Sequence, residues 1–555
     1  MKAAPRTPMK LMFLMDSPEY LRFYDTAIAE LAARGHEVAL AVMSSRDRKP
    51  VGLEGLRAHA AGVRVVGVVP AHDGMWGGIA TGLRAVMDFV RFLHPTFAHA
   101  PALRARIKRK VLPRAYHWLD AIPQLGPGAV QALLRMLATL ERAIPVYAPI
   151  RDLLRTQAPD VLLVSPLVAA ASEQVDWVKA ARALGVRSAV GVASWDNLTN
   201  KGLLRIQPDQ VLVWNDAQQY EARTYHDIPD DRIAVTGAQL FDRWFERRAS
   251  TDRAAFCRWV GLPDDRPFVL FTGSSGFISE SSAEVAFVRR WVQALRASNH
   301  PSVRDVNVLV RPHPYNCHAW EADPLKDVAG VAVYPRRAYS PIDADTRRDF
   351  FDSLFHAAAV VGINTSAMIE AAIVGRPVCS ILAPEFAATQ EGTIHFRHLL
   401  PENGGFLRLA ATLNEHVAQL AGRLEDPAGS FEETQRFVKT FVRPHGLDRP
   451  ATPLFVDALE DLGSRPAPRP RGLPVWAPLL WPVLWIAAAP AWMVDRLAAG
   501  PLPRARRRAA WAQHRGGKLL RNGAARIRSR LHKGYKVVLR SWQRSVHRWH
   551  RVRAR

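Results

Sequence analysis

The sequence predicts an α/β protein whose body is two doubly wound parallel sheets facing one another. Three observations predict it. Short, continuous apolar runs alternate with segments of helical spacing through residues 9–240, and the same alternation restarts near residue 265. Runs that are apolar at every position belong to strands buried on both faces, as in parallel sheets covered by helices. One stretch of the body, about 78–157, loses the strand signal and reads as a helical insertion.

The elements follow in order. Residues 10–15, Lys-Leu-Met-Phe-Leu-Met, form a first buried strand. The run is too short for a secretory signal and is followed by no small-residue cleavage site. Leu21, Tyr24, Ile28 and Leu31 recur at spacings of three and four, predicting a helix that Gly35 closes. Further strands are expected at 37–43, 63–69, 160–165, 187–193 and 210–214, and in the second series at 267–272, 307–311, 331–334, 359–363 and 377–382. Residues 412–463 read as helical, and Arg465-Pro-Ala-Pro-Arg-Pro-Arg471 reads as a stiff linker. The expected division is therefore a first domain at 9–240, a second at 250–445, a closing helix and linker at 446–471, and a tail at 472–555.

Charge sharpens this division. The 555 residues carry 75 Lys+Arg against 51 Asp+Glu, a formal net charge of +24. From Arg465 onward there are 22 basic residues and a single acid, Asp495, so the preceding 464 residues are nearly balanced. The body thus lacks the basic footprint of a nucleic-acid binder, and nucleic acid is not an expected partner. Cys257, Cys317 and Cys379 are widely spaced, which excludes a disulfide framework or a cysteine zinc site and suits a reducing cytoplasm.

The most informative motif is a buried strand ending at Ile363, a turn at Asn364, Thr365 and Ser366, and an apolar helix running to Gly375. Free amides and small hydroxyls at such a helix start suit a phosphate. Glu370 is the one ionisable residue of that helix, a turn beyond Ser366. A lone carboxylate there is costly unless something satisfies it, and the hydroxyls of a ribose beside a bound diphosphate would do so. A structural arginine would serve as well. Thr272-Gly-Ser-Ser-Gly276 follows another strand, so Gly273, Ser274 and Ser275 are candidates to wrap a phosphate. Arg311 and His313 end a third strand inside Arg-Pro-His-Pro, placing a cation and an imidazole at the sheet edge. Gln390 and Thr393 sit in a polar loop at the same edge.

Candidate bases that would deprotonate an acceptor hydroxyl are Asp16 and Glu19, after the first strand, and Asp196, after the strand at 187–193. N-capping explains such residues equally well. Asp343-Ala-Asp345 matches a metal-binding pattern formally, but it precedes a helix that acids would cap, so no metal site is assigned. No cofactor beyond a nucleotide-activated donor is expected. The basic run at 104–114 is either a solvated face or a surface for an anionic acceptor or lipid.

These motifs resemble the GT-B glycosyltransferase superfamily, in which two Rossmann-like domains face each other and the second holds a nucleotide-activated donor. The Arg-Pro-His-Pro turn and the Asn364-Thr-Ser366 helix start with Glu370 are similar to CDP-glycerol glycerophosphotransferases and capsule-polysaccharide transferases. The resemblance spans about residues 9–445 in spaced motifs, and it is more specific in the second domain. It implies a transferase moving a sugar or polyol phosphate from a nucleotide-sugar or CDP-polyol donor to a lipid-linked or polysaccharide acceptor. The chain departs from some members in having no histidine in the first loop, where Asp16 and Glu19 stand. Related folds include sugar-nucleotide 2-epimerases, and a catalytically silent nucleotide-binding scaffold stays open.

Between Arg471 and Asp495 lie 23 uncharged residues that include Trp476, Trp481, Trp485 and Trp492. Prolines at 474, 478, 482 and 490 argue against a straight helix, and the basic flanks argue against a span. A re-entrant or interfacial segment is expected. Farther on, Leu531, Tyr535, Val538, Trp542, Val546 and Trp549 recur at helical spacing among Arg and Lys, as in helices that lie on anionic membranes. Attachment to the cytoplasmic face of a membrane follows as the expected location.

Overall fold

The computed structural model describes residues 7–43, 62–337 and 344–498. Asp343 and the amphipathic pattern at 531–549 lie outside the described residues. The first domain holds a seven-stranded sheet of β1 (Lys10–Met15), β2 (Glu37–Met43), β3 (Val63–Val69), β4 (Val161–Ser165), β5 (Arg187–Gly191), β6 (Gln210–Val213) and β7 (Ile233–Val235). Its order is β3-β2-β1-β4-β5-β6-β7 and every pairing is parallel. The second domain holds six more strands: β8 (Phe268–Thr272), β9 (Asn307–Arg311), β10 (Val331–Val333), β11 (Ala359–Gly362), β12 (Val378–Ile381) and β13 (Arg408–Ala410). They run β10-β9-β8-β11-β12-β13, again all parallel.

The apolar runs explain this arrangement. The interior residues of β1, β4, β8 and β9 are fully or almost fully buried, because helices cover both faces of each sheet. Strand order reverses between β1 and β4 in one sheet and between β8 and β11 in the other. The loops leaving these strands therefore diverge, and each sheet opens a crevice at its carboxyl edge. This is an α/β architecture of two doubly wound parallel sheets, one in each domain.

Three differences from the sequence reading are informative. β7 and β13 are absent from the sequence reading: each has three residues, as has β10, but neither has an apolar run beyond it that marks a strand. The helix read from Leu21 onward begins as a 3-10 turn over Pro18–Phe23 and becomes α-helical only at Asp25–Ala33. The prolines of the segment after Arg471 do not break it, since one helix runs through Ala477–Ala498. Pro478 sits at its first turn, and Pro478, Pro482 and Pro490 all lie on its exposed face. Ala477 and Leu484 are buried on the opposite stripe against Ile79, Ala80, Ala143 and Ile144, and Trp481 Nε1 donates to the Ala143 carbonyl at 3.0 Å. This docking offsets the backbone hydrogen bonds that the prolines remove.

Helices Met75–Arg91, Pro101–Lys110, Pro127–Ala143 and Ala148–Gln157 fill the crossover between β3 and β4. A buried ion network anchors them. Arg84 donates to Glu141 at 2.8 Å and to Asp176 at 2.8 Å, His72 meets Asp176 at 3.1 Å, and Lys179 donates to the Glu141 carbonyl at 2.7 Å. After the second domain, helix Ala451–Ser464 returns to the first and buries Phe455, Val456, Leu459 and Leu462 beside Ile28 and Leu31.

Candidate functional site

The carboxyl edges of the two sheets enclose a cavity of about 220 Å³. Arg22, Ser194 and Trp195 line it from the first domain; Gly273, Arg311, His313, Thr365, Ser366 and Glu370 line it from the second. Arginines outnumber carboxylates on its wall: Arg22, Arg243, Arg247, Arg311 and Arg347 against Asp25 and Glu370. Such a lining suits a multiply charged anion.

Glu370 is the unusual group. Its helix, Ala367–Ile373, is otherwise apolar and buried. Among the described residues its carboxylate has no hydrogen bond or ion pair. Burial pushes its pKa up to about 8, and only the Arg22 guanidinium pulls it back. The same arginine acts on His313, whose pKa burial lowers to about 4. The His313 Nδ1 accepts the Tyr315 N–H at 3.2 Å, so a neutral ring carries its proton on Nε2 and is a donor there. Arg311 is held in place by the Ser353 hydroxyl at 2.8 Å and by Asp349 at 3.6 Å. Half-buried, with no described partner for its buried Nε, Arg22 lies over the Phe23 ring at 4.7 Å.

Close backbone approach shapes the phosphate-loop candidate. A Cβ on Gly273 would lie 2.7 Å from the His313 nitrogen, so only glycine lets the loops after β8 and β9 meet. The next amide is already engaged, because Ser274 N donates to Glu284 at 2.8 Å. Burial raises Glu284 to about 8 despite that bond and one from Trp320. Ser274 and Ser275 do not line the cavity.

The remaining donor-site candidates separate in the same way. Thr365 and Ser366 face the cleft, but the Ser366 side chain makes no cap bond and the helix has seven residues. Anion affinity here would rest on the arginines. Asn364 lies behind the wall, donating to the Thr389 carbonyl at 2.8 Å and to Thr393 at 3.3 Å. Gln390 donates to the Ile363 and Ile381 carbonyls, each at 3.0 Å, and Thr393 donates to the Gln390 carbonyl at 2.8 Å. Asn364, Gln390 and Thr393 brace loop to strand and leave the cavity to others.

The candidate bases are also dispersed. Asp16 and Glu19 do not line the cavity, and the Ser17 hydroxyl donates to Glu19 at 2.9 Å. Asp196 is one residue beyond the lining Trp195. Burial would raise its carboxyl, but Lys201, His395, the Ser194 hydroxyl and Arg106 together hold it well below the usual range. Arg106 reaches it from the insertion while lying over the Phe277 ring of the second domain at 4.2 Å. The basic run at 104–114 is thus partly occupied internally, since Arg104 and Lys108 both pair with Asp120. No cluster of three potential metal ligands occurs among the described residues.

Arg22, Arg243, Arg247 and Arg347 escaped the sequence reading. Arg22 carried a usable signal, since it closes the loop after β1 at a strand-order reversal. The others lie in helices or loops that no motif marks.

No protein-family model and no curated protein matches the sequence. Among solved structures it is similar to the calicheamicin glycosyltransferase CalG4 at 14% identity, over 83% of this chain and 100% of that one, with a TM-score of 0.45. It is similar to a putative UDP-N-acetylglucosamine 2-epimerase from Listeria monocytogenes at 12%, over 84% and 100%, with a TM-score of 0.46. It is also similar to WaaG, a glycosyltransferase involved in lipopolysaccharide biosynthesis, at 12%, over 82% and 100%, with a TM-score of 0.42.

Proposed function

We propose that this chain is a GT-B-type transferase moving a sugar or polyol phosphate from a nucleotide-activated donor to a lipid-linked or cell-envelope polysaccharide acceptor at a membrane surface. One observation carries the donor half: the half-buried Glu370 carboxyl, with no described partner, lines a cavity that five arginines also line, of which Arg22 acts on it directly. A desolvated carboxyl of this kind gains most from a ligand bearing adjacent hydroxyls. The arginines beside it would take the attached diphosphate. Arg311, Arg22 and His313 Nε2 would stabilise the leaving group as its charge develops, with no obligatory metal.

The acceptor half rests on the apolar helix Ala477–Ala498. Its window Ala477–Val494 has a mean hydropathy of 1.5, long and apolar enough to cross a membrane. Leu479, Val483 and Ile486 are exposed on it.

One observation favours a second reading. Neither Asp16 nor Glu19 lines the cavity, and Asp196 is held too acidic to be an efficient base. A sugar-nucleotide 2-epimerase or a silent nucleotide-binding scaffold needs no base for an acceptor hydroxyl. The deciding experiment incubates the full chain with labelled nucleotide donors, with and without a membrane fraction. Transfer that requires the membrane fraction supports the transferase. A product formed without acceptor supports the epimerase, and nucleotide binding without turnover supports the scaffold. If no nucleotide or nucleotide-sugar shifts the melting temperature, and Glu370→Ala changes nothing, the donor site itself is refuted.

A further inference from the structure

A second and larger cavity, about 940 Å³, lies away from the cleft. Its floor includes Val186 and Arg187 at the start of β5, Asp209 just before β6 and Arg232 just before β7, so it opens at the amino edge of the first sheet. One wall is helix Pro127–Ala143, which contributes Val130, Leu134 and Ala138. The linker supplies Pro468, Arg469 and Arg471 as another. The helix sets Arg135 and Arg142 beside its apolar residues, and the rest of the lining mixes Arg182, Arg187 and Arg232 with Leu203, Ile206, Asp209 and Asp227.

The cations are crowded and undercompensated. Among the described residues Arg135, Arg142, Arg182, Arg232 and Arg471 have no carboxylate within ion-pair distance, and Arg187 reaches Asp209 only at 3.8 Å. Burial lowers the pKa of Arg182; Asp209 opposes this, and the like charges of Arg471, Arg232 and Arg142 add to it. Arg182 and Arg232 are half-buried while Arg135, Arg142 and Arg471 are exposed. Like charges gathered around the half-buried Arg182 are relieved by a bound polyanionic oxygen group, and phosphate matches guanidinium geometry. A free phosphate fills only a small part of such a volume, which suits a ligand of a few hundred Å³ or more with an apolar portion.

The groove also has a defined neighbour. Helix Pro127–Ala143 lines it on one side and on the other meets the helix that begins at Ala477. Arg142 lines the groove and lies 5.9 Å from the Trp476 ring centroid. Val475, Leu479 and Ile486, just beyond, are 98%, 78% and 73% exposed. A cationic site for an anionic head and an exposed apolar surface are thus offered side by side.

We propose that this groove binds the phosphate headgroup of an anionic membrane amphiphile, with the head among the arginines and the first carbons of its chain along Val130, Leu134 and Ala138. The proposal rests on reading the Ala477–Ala498 helix as membrane-facing, and it is independent of the donor chemistry in the cleft.

The test titrates the full-length protein with decyl phosphate below its micelle concentration, and separately with inorganic phosphate and decyl glucoside. Saturable binding of decyl phosphate is expected, weakened about 10–100-fold in R142Q/R232Q/R471Q through loss of charge-assisted hydrogen bonds. Leu134→Asn should weaken decyl phosphate and leave the response to inorganic phosphate unchanged. Undiminished decyl phosphate binding in the triple variant overturns the proposal and places the binding in the basic tail. Equal affinity for inorganic phosphate overturns it in favour of a soluble anion, and equal affinity for decyl glucoside in favour of a merely apolar groove. L479S/I486S separates the premise from the proposal: it should release the protein from phosphatidylcholine vesicles and leave the decyl phosphate titration unchanged. If that variant stays on the vesicles, the membrane-facing reading fails whatever the groove binds.

Discussion

Glu370 and Glu284 have the same side chain, the same raised pKa of about 8 and different tasks. Glu284 accepts hydrogen bonds from its own domain, whereas Glu370 has none described and faces the cleft. That contrast gives a pH prediction. With a folded pKa above the ordinary 4.5, Glu370 in the native state keeps a proton that the unfolded chain has released. Its stabilising effect is complete below about pH 4.5 and is lost as pH rises through 8. Glu370→Gln should therefore melt with wild type at pH 5 and be more stable at pH 9, by roughly 2–4 kcal/mol with partial exposure to the cleft. Melting curves of both proteins from pH 5 to 9 check this, and parallel curves would refute it. Donor binding at pH 7 should also release a proton, because ligand hydroxyls donating to the carboxylate lower its pKa. Calorimetry in two buffers of different ionisation enthalpy reads that proton directly. Gly273 carries a second residue-scale expectation. Gly273→Ala drives a methyl into the His313 backbone, costing about 1–3 kcal/mol in urea unfolding and weakening donor binding. That Gly273, Arg311, His313, Thr365, Ser366 and Glu370 share one cavity wall was legible, because strand ends, prolines and a lone carboxylate mark them. Ser274, Asn364, Gln390 and Thr393 do not line that cavity; a buried polar side chain bracing a loop looks in sequence like one awaiting a ligand.

At the scale of elements, legibility followed apolar run length. The longer strands, and the short β10 within its run at 331–334, announced themselves, while β7 and β13 borrow their place from neighbours. Helix Ala477–Ala498 was obscured for another reason: its stability comes from a docked stripe that local proline rules do not register. The attachment of the insertion was invisible, since Arg84, Glu141 and Asp176 meet across separations of 57 and 92 residues. Burial opposes the charge on Arg84, and the two carboxylates more than restore it, so it stays ionised. Arg84→Met should cost about 3–5 kcal/mol, because it leaves Glu141 and Asp176 buried with fewer partners. R84M/E141Q/D176N should cost less than Arg84→Met alone. Burial would raise Asp176, but Arg84 and His72 hold it below the ordinary range, so its contribution is present above that range and lost as pH falls. The gap between Arg84→Met and wild type should then narrow in urea melts taken below about pH 4. A gap independent of pH would show that the network acts through packing alone.

For the whole molecule, the charge asymmetry was legible from counting, and the relation between the domains was not. Several contacts tie the domains where the chain crosses between them: Asn215 donates to the Phe441 carbonyl at 2.7 Å, Arg443 binds Asp242 at 2.7 Å, and His398 meets Glu221 at 2.7 Å. The cleft itself is bridged differently. Asp25, near the start of helix Asp25–Ala33, accepts from Arg243 at 2.9 Å and from Arg347 of the second domain at 2.6 Å. Its side chain is 10% exposed, so this pair is screened less than a surface bridge. A bridge at the mouth with a firm crossing behind it has the layout of a hinge with a latch, and an anionic donor arriving beside Arg243 and Arg347 would compete with Asp25 for the same guanidinium groups. Asp25→Asn should keep the fold and loosen the latch. The ligand-free chain would then show a larger radius of gyration in small-angle scattering, and donor would restore the compact value. The sign for affinity depends on which effect is larger. Losing the competing carboxylate removes one hold on Arg243 and one on Arg347, whereas an opened cleft must close at a cost; with two charge-assisted contacts to Asp25 released against one closing step, tighter donor binding by about 3–10-fold is expected. Weaker binding with an unchanged radius would mean that Asp25 positions the arginines for the donor and latches nothing.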